Sequence, residues 1–349
     1  MKKITYCQAI NEALHQEMKR DDSVMVYGIG CGDHKEIFGS TEGLQEKFGK
    51  DRVFDTPLSE DALTGFGIGA AMNGMRPVQI HIRADFALLA MNQIINMMSA
   101  VDYMSNGQLK CPMVIRIIIG RGWGQGFQHS KSLFSLFTHI PGLKVIAPSN
   151  PQDMKSLLAQ AIVSDNPVIC FEHRWLYWQE QEVDDNLEAP YFSKLYQNPK
   201  AEADITLLSY SWGVIECKKA AEILWEIYSV CVNIIDLRVL TNLDMEHIVS
   251  FIYTDECIIV EDDWLNNSVG AGFLAQYLDE KFNITNQPVN FSRIGWKNTP
   301  CPTARHLEND FYYDAKDIVL KVTNRLGLRV PDLRDVDCYS HENKFRGPF

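Results

Sequence analysis

The sequence predicts an α/β protein built as two parallel-sheet domains, and three observations carry that prediction. Apolar strand-like runs alternate with amphipathic helical stretches, the pattern of a parallel sheet covered by helices on both faces. Runs such as "CPMVIRIIIG" and "NPVICFEH" are mostly apolar and do not alternate, which marks strands buried on both sides. The pattern stops between about 178 and 203 and then resumes, so the chain divides into two units.

Taken in order, "MKKITYCQAINEALHQEMKR" has polar residues and glutamates interrupting its apolar positions. It reads as an amphipathic helix rather than a signal peptide. Strands are expected at "SVMVYGIG", "RPVQIHI", "CPMVIRIIIG", "GLKVIAPS" and "NPVICFEH". Between them, "FALLAMNQIINMMSAVDYM" has the spacing of one helix. A second helix is expected in "NPQDMKSLLAQAIVSD", where Asn150 can cap, Pro151 suits the first turn and Asp153 favours the positive helix end. The stretch "WQEQEVDDNLEAPYFSKLYQNPKAEA" is polar, acidic and proline-containing, and reads as a linker. Strands and helices then return in "DITLLSYS", "GVIECKKAAEILWEIY", "VCVNIIDLRVL", a helix from about Asp244, "ECIIVEDD", "VGAGFLAQYLDEKF" and "VNFSRIG". The last residues, "RVPDLRDVDCYSHENKFRGPF", have no period and are expected to lie along a surface. The expected division is a first domain over 1–180, a linker over 181–203, a second domain over 204–326 and an irregular tail over 327–349.

Composition narrows the function. At 349 residues, 46% hydrophobic and 22% charged, the chain can bury two cores of ordinary size. A net charge of −12 disfavours nucleic acid and anionic membranes as partners. Nine cysteines lie scattered, without a C-x-x-C pair or histidines at zinc spacing. They read as reduced thiols in a cytoplasmic protein. No apolar run approaches the ~18 residues of a membrane span.

One stretch stands apart. "DTPLSEDALTGFGIGAAMNGMRP" sets Glu60 directly before a glycine-rich apolar run. That run has neither the Lys-Ser/Thr ending of a P-loop nor a complete dinucleotide fingerprint, which disfavours a nucleotide-binding dehydrogenase. Residue chemistry alone leaves the neighbouring candidates open. Phe86 can be a core phenylalanine opening a helix, and His129 a hydrogen-bonded structural histidine in a glycine-rich loop.

Four motifs occur in order: "DTPLSEDALTGFGIGAAMNGMRP", "QHSKSLFSLFTHIPGLKVIAPSNPQD", "IIDLRVLTNLDMEHI" and "IIVEDDW". Together they resemble the beta subunits of the thiamine-diphosphate-dependent 2-oxo acid dehydrogenases, of the pyruvate, branched-chain and acetoin types, over roughly residues 3 to 325. The resemblance implies a pyrimidine-binding, transketolase-like domain followed by a transketolase C-terminal domain. It implies decarboxylation of a 2-oxo acid, with the resulting acyl unit passed to a lipoyl group. The partners implied are an alpha subunit in an alpha-two beta-two assembly containing a beta pair, and a lipoyl acyltransferase. Transketolase-like transfer of the activated aldehyde to a sugar or other carbonyl is the alternative. A non-catalytic scaffold is opposed by the joint presence of Glu60, Phe86 and His129.

The resemblance also assigns roles. Glu60 hydrogen-bonds N1′ of the cofactor's aminopyrimidine, favouring the imino form of the ring that deprotonates the thiazolium. Phe86 stacks on the pyrimidine, Ile29 and Ile82 contact the cofactor, and His129 orients and protonates intermediates during acyl transfer. Gly65, Gly67 and Gly69 then serve close packing of helix on sheet rather than phosphate binding. Met113, Ala161, Ile162, Ser164 and Asn166 match positions whose oxygens hold a potassium ion in some relatives; a plain helix-to-strand turn is the competing reading.

Departures from the pattern matter as well. Ile29 and Gly30 stand where an acidic residue or pair is common, and Lys131 stands where glutamine is usual. Arg83 and Asp85 beside Phe86 suggest a more polar substrate pocket, or else a surface ion pair. The Gly-Asp-Gly and paired-asparagine motif that holds the diphosphate through Mg²⁺ is incomplete, which assigns that half of the cofactor to the alpha chain.

Overall fold

The computed structural model describes residues 1–33, 36–120, 125–184, 194–196, 202–284, 289–334 and 336. Residues divide into two compact units, 1–121 with 128–191, and 122–127 with 192–349.

The first unit begins with strand β1 (Lys2–Thr5) and helix α1 (Tyr6–Arg20). Thr5 caps α1 by accepting from the Gln8 N–H, while the Gln8 side chain accepts from the Thr5 N–H, a reciprocal capping box. Next come β2 (Val24–Gly28), α2 (Leu44–Phe48), β3 (Val53–Phe54), α3 (Glu60–Met72), β4 (Arg76–His81) and α4 (Ala84–Ala87). The chain continues through α5 (Val101–Met104), β5 (Val114–Ile119), α6 (Phe134–Thr138), β6 (Lys144–Ile146), α7 (Pro151–Val163), β7 (Val168–His173) and β8 (Glu180–Val183). Asn150 caps α7 by accepting from the Asp153 N–H, with Pro151 in the first turn, as its sequence predicts.

Six strands form one parallel sheet in the order β3-β2-β4-β5-β7-β6. Strands β2, β5 and β7 are buried along their whole length, and β4 along all but its first residue. Strand addition changes direction after β3: β3 lies on one side of β2 and β4 on the other. A doubly wound sheet opens a crevice at such a reversal, beyond the carboxyl ends of the strands.

The second unit contains β9 (Lys194–Tyr196), β10 (Ile205–Ser209), α8 (Gly213–Tyr228), β11 (Val232–Asp236), α9 (Met245–Ser250), β12 (Glu256–Trp264), α10 (Val269–Ile284), β13 (Asn290–Trp296), α11 (Arg305–Phe311) and α12 (Ala315–Arg325). Its sheet runs β13-β12-β10-β11-β9, parallel except for β9. Buried faces of α8 and α12 cover it with Val214, Leu224, Ile318 and Val322.

Three differences from the sequence reading have physical causes. Residues 86–104 do not form one helix. After α4 the chain tightens into a 3₁₀ turn (Leu88–Ala90), widens into a π-helix (Gln93–Met98) and ends in α5. Second, the polar stretch read as a linker holds β8 and β9, each paired to a strand distant in sequence. Third, β1 precedes the first helix and pairs antiparallel with β8, Ile4 opposite Gln181. The expected tail over 327–349 lies mostly outside the described residues. Among the described residues no helix is long and apolar enough to cross a membrane. Eight cysteines among them are buried and free.

Candidate active site

The candidate residues follow the carboxyl ends of four adjacent parallel strands. Ile29 follows β2, Glu60 follows β3, Ile82 and Phe86 follow β4, and His129 follows β5. All therefore gather at the crevice end of the sheet, beside the reversal between β2 and β4. At that reversal the backbones approach closely: a Cβ on Gly28 would lie 2.5 Å from the Ile80 carbonyl oxygen.

Glu60 is the first residue of α3 and is half-buried. The turn before it is pinned through Asp55, whose Oδ1 accepts from Gly30 N–H at 2.7 Å and from Thr56 N–H at 2.8 Å. The first turn of α3 is tied to the sheet by the Thr64 hydroxyl, 2.8 Å from the Glu60 carbonyl oxygen and 2.9 Å from Gln79 Oε1 on β4. Tyr27 on β2 donates to the Leu63 carbonyl at 3.0 Å. The Gln93 amide reaches Asp61 at 3.3 Å, joining the start of α3 to the π-helix beyond Phe86. The carboxyl thus sits on a rigid base at the open end of the sheet. A carboxyl there can donate or accept one proton toward a ring nitrogen.

The glycines of α3 behave unequally. A Cβ on Gly67 would lie 2.1 Å from the Tyr27 hydroxyl and 2.7 Å from Met113 Cε, so glycine alone lets α3 approach the sheet here. Gly65 would meet Gln93 at 3.4 Å, and Gly69 would meet nothing within 4 Å. The close-packing reading therefore holds at Gly67 and fails at Gly69.

Phe86 lies in the short helix α4 with its ring 39% exposed, an apolar face left open at the crevice end. Its ring meets the His129 imidazole edge-to-face, centroids 5.4 Å apart at 79°. Next to it, Asp85 accepts from Lys131 Nζ at 2.5 Å and from the Lys131 N–H at 3.4 Å. The Asp85 side chain is only 6% exposed, so this is not the surface ion pair that one reading of the sequence allowed. Arg83, the other residue in that reading, is buried; burial lowers the affinity of its guanidinium for its proton, and the Asp85 charge opposes that shift.

Below these loops, Arg116 on β5 and Glu172 on β7 form a fully buried bidentate pair at 2.5 and 2.9 Å. Ser40 Oγ accepts from Arg116 at 2.9 Å, and the Tyr177 hydroxyl donates to Glu172 at 2.6 Å. Burial opposes the arginine's charge, but the Glu172 carboxylate outweighs it and holds the guanidinium protonated. Sequence reading missed this bridge, since two charges inside apolar strand runs give no sign of facing one another. It braces β5, from which the His129 loop departs, against β7.

The five potassium candidates are already engaged. Arg76 Nη1 donates to the Ile162 carbonyl at 3.2 Å and to the Ser164 carbonyl at 3.0 Å, while Nη2 pairs with Asp165 at 2.9 Å. The Met113 carbonyl accepts from Val168 N–H at 3.0 Å, the Ala161 carbonyl from Ser164 N–H at 3.3 Å, and Asn166 N–H donates to Ser164 Oγ at 3.2 Å. A guanidinium supplies positive charge at this turn, beside the carbonyl oxygens of Ile162 and Ser164. Among the described residues no group of three or more His, Cys, Asp or Glu side chains is arranged to hold a metal ion.

An exposed aromatic face, a carboxyl on a pinned backbone and an imidazole lie at the open end of a doubly wound sheet, groups able to stack on a flat nitrogen heterocycle and exchange a proton with it. Comparisons with known proteins identify the two domains. The family model described as "Transketolase, pyrimidine binding domain" matches residues 2–179, and "Transketolase, C-terminal domain" matches residues 196–318. The chain is similar to the pyruvate dehydrogenase E1 component subunit beta of Rickettsia bellii, 34% identical over 323 residues, covering 91% of this chain and 98% of the relative. It is also similar to the mitochondrial pyruvate dehydrogenase E1 component subunit beta of Saccharomyces cerevisiae, 33% identical over 331 residues, covering 94% and 90%. A solved structure described as "Split gene transketolase, inactive beta4 tetramer" superposes with a TM-score of 0.73 at 19% identity, covering 93% of this chain and 99% of that one.

Proposed function

Because this chain belongs to the beta subunits of the thiamine-diphosphate-dependent 2-oxo acid dehydrogenases, with their transketolase-like domains, we propose that it supplies the pyrimidine half of a two-chain decarboxylase site. The observation that carries this reading is the placement of Glu60, Phe86 and His129 beyond strands β3, β4 and β5, on both sides of one sheet reversal. Thiamine diphosphate, when bound, supplies a stabilised carbon nucleophile for the 2-oxo carbon. Glu60 holds the proton shared with the pyrimidine nitrogen N1′. Phe86 presents its open face to the ring, Ile29 and Ile82 line the crevice, and His129 orients and protonates the transferred group.

The diphosphate and its Mg²⁺ are held by an alpha subunit within an alpha-two beta-two assembly that contains a beta pair. The acceptor is a lipoyl group on an acyltransferase, and the compartment is the cytoplasm. The charged pair Asp85–Lys131 beside Phe86 favours a second reading, transfer to a sugar or other polar carbonyl acceptor. Co-purification with the partner chain, followed by a panel of 2-oxo acids with an artificial electron acceptor, tests the proposal. Decarboxylation of at least one 2-oxo acid, dependent on thiamine diphosphate, is expected. Lipoyl and aldehyde acceptors offered in parallel then separate the two readings.

A further inference from the structure

We infer that Lys131 is a positioning residue. Through its ion pair with Asp85 it ties the extended segment bearing His129 to the turn bearing Phe86, so that imidazole and stacking ring move as one unit. The inference rests on the functional reading above and gives Lys131 a role in positioning His129 that neither acceptor reading uses.

Residues 129–133 lie outside every strand and before α6, which Phe134 opens. Their burial nonetheless alternates: His129, Lys131 and Leu133 are partly exposed, whereas Ser130, Ser132 and Phe134 are buried. His129 and Lys131 therefore share one side of an extended segment. That side meets the residues after β4 at two neighbouring points, His129 on Phe86 and Lys131 on Asp85. Consecutive residues of one short helix receive them, so the two contacts reinforce each other in register. Leu133, which ends the segment, is held at φ 61°, a left-handed conformation that leucine adopts only when its surroundings impose it. A ring-edge contact alone leaves the imidazole free to slide across the phenyl face. An ion pair whose carboxylate is 6% exposed is poorly screened and fixes the distance. Glutamine and asparagine would keep part of the hydrogen bonding and lose the charge attraction.

The edge-to-face geometry supplies a readout that needs no cofactor. In the full chain labelled at histidine, the His129 ring resonances, assigned by their loss in H129Q, should be displaced by the Phe86 ring current and return in F86L. K131M and D85N should each cut that displacement by about half or more, K131R should keep it, and the charge-swapped D85K/K131D should restore it. In the enzyme assembled with its alpha chain, K131M should lower kcat for acyl transfer about 10-fold or more while KM for the 2-oxo acid changes little, and K131R should recover it. Undiminished displacement in K131M and D85N overturns the inference. An assembled enzyme that decarboxylates no 2-oxo acid counts against the functional reading instead, and leaves the ring-current result to decide the role of Lys131.

Discussion

Glu60 and His81 show how differently two titratable residues at one sheet edge are used. Glu60 stands half-buried on a pinned turn, open to whatever occupies the crevice. Glu60→Gln keeps volume and fold but removes the acid, so turnover of the assembled enzyme should fall at least ~10²-fold, with the melting temperature unchanged. Steady-state kinetics beside a thermal melt checks both halves of that expectation. His81, the last residue of β4, is buried, its Nε2 has no hydrogen-bond partner, and burial pushes its imidazole down to about 4. In the unfolded chain the ring takes its proton near 6.5, so between about 6.5 and about 4 the unfolded state binds more protons than the folded one. This contribution is fully present above the upper value and is lost as pH falls through the lower one. Its full size is on the order of 3 kcal/mol. Urea unfolding across that window should therefore give a steeper loss of stability in the wild type than in His81→Phe.

At the scale of elements, α3 and the turn after α7 each depend on one tight fit. Gly67→Ala gains helix propensity of about 1 kcal/mol but forces a methyl against the fixed Tyr27 hydroxyl; it should destabilise the chain by about 1–3 kcal/mol net. Gly69→Ala gains the same propensity without a clash and should be neutral or stabilising, which denaturant titration of the two variants can compare. Arg76→Met removes charged hydrogen bonds to two carbonyls and should cost about 2 kcal/mol. The wild type, with its own guanidinium in place, should melt at the same temperature in potassium and tetramethylammonium buffers of equal ionic strength. The large strands were legible because β5 and β7 are mostly apolar on both faces and need no partner to be recognised. Strands β1, β8 and β9 were not: "KKIT", "EQEV" and "KLY" carry no alternation, and only pairing with distant strands makes them extended. The helical spacing of 86–104 was legible, but its winding through 3₁₀ and π turns depends on neighbours that spacing cannot show. Candidate site residues stand out one at a time through their motifs. The meeting of Asp85 with Lys131 was not, because nothing local links two residues so far apart in sequence.

At the scale of the whole molecule, the chain offers an aromatic ring, a carboxyl and an imidazole but no acidic cluster for a metal among its described residues. Concentrated phosphate charge pairs best with a divalent cation in an oxygen-rich site. Calorimetry on the purified chain should therefore detect weak or no binding of thiamine diphosphate with Mg²⁺, and tight binding once the alpha chain is added. Micromolar, Mg²⁺-dependent binding by the chain alone would overturn that division of labour.

The pairing of β1 with β8 has a consequence in time rather than in space. Lys2–Thr5 is made before any strand of the six-stranded sheet, yet its partner Glu180–Val183 emerges only after that entire sheet has been made. During synthesis β1 waits with its hydrogen-bonding edge open, and β1 and β8 close together as a late clasp once the sheet is finished. Synthesis stalled before residue 183 would leave a nascent domain with its core strands present and its clasp undone, the moment at which a chaperone has most to protect.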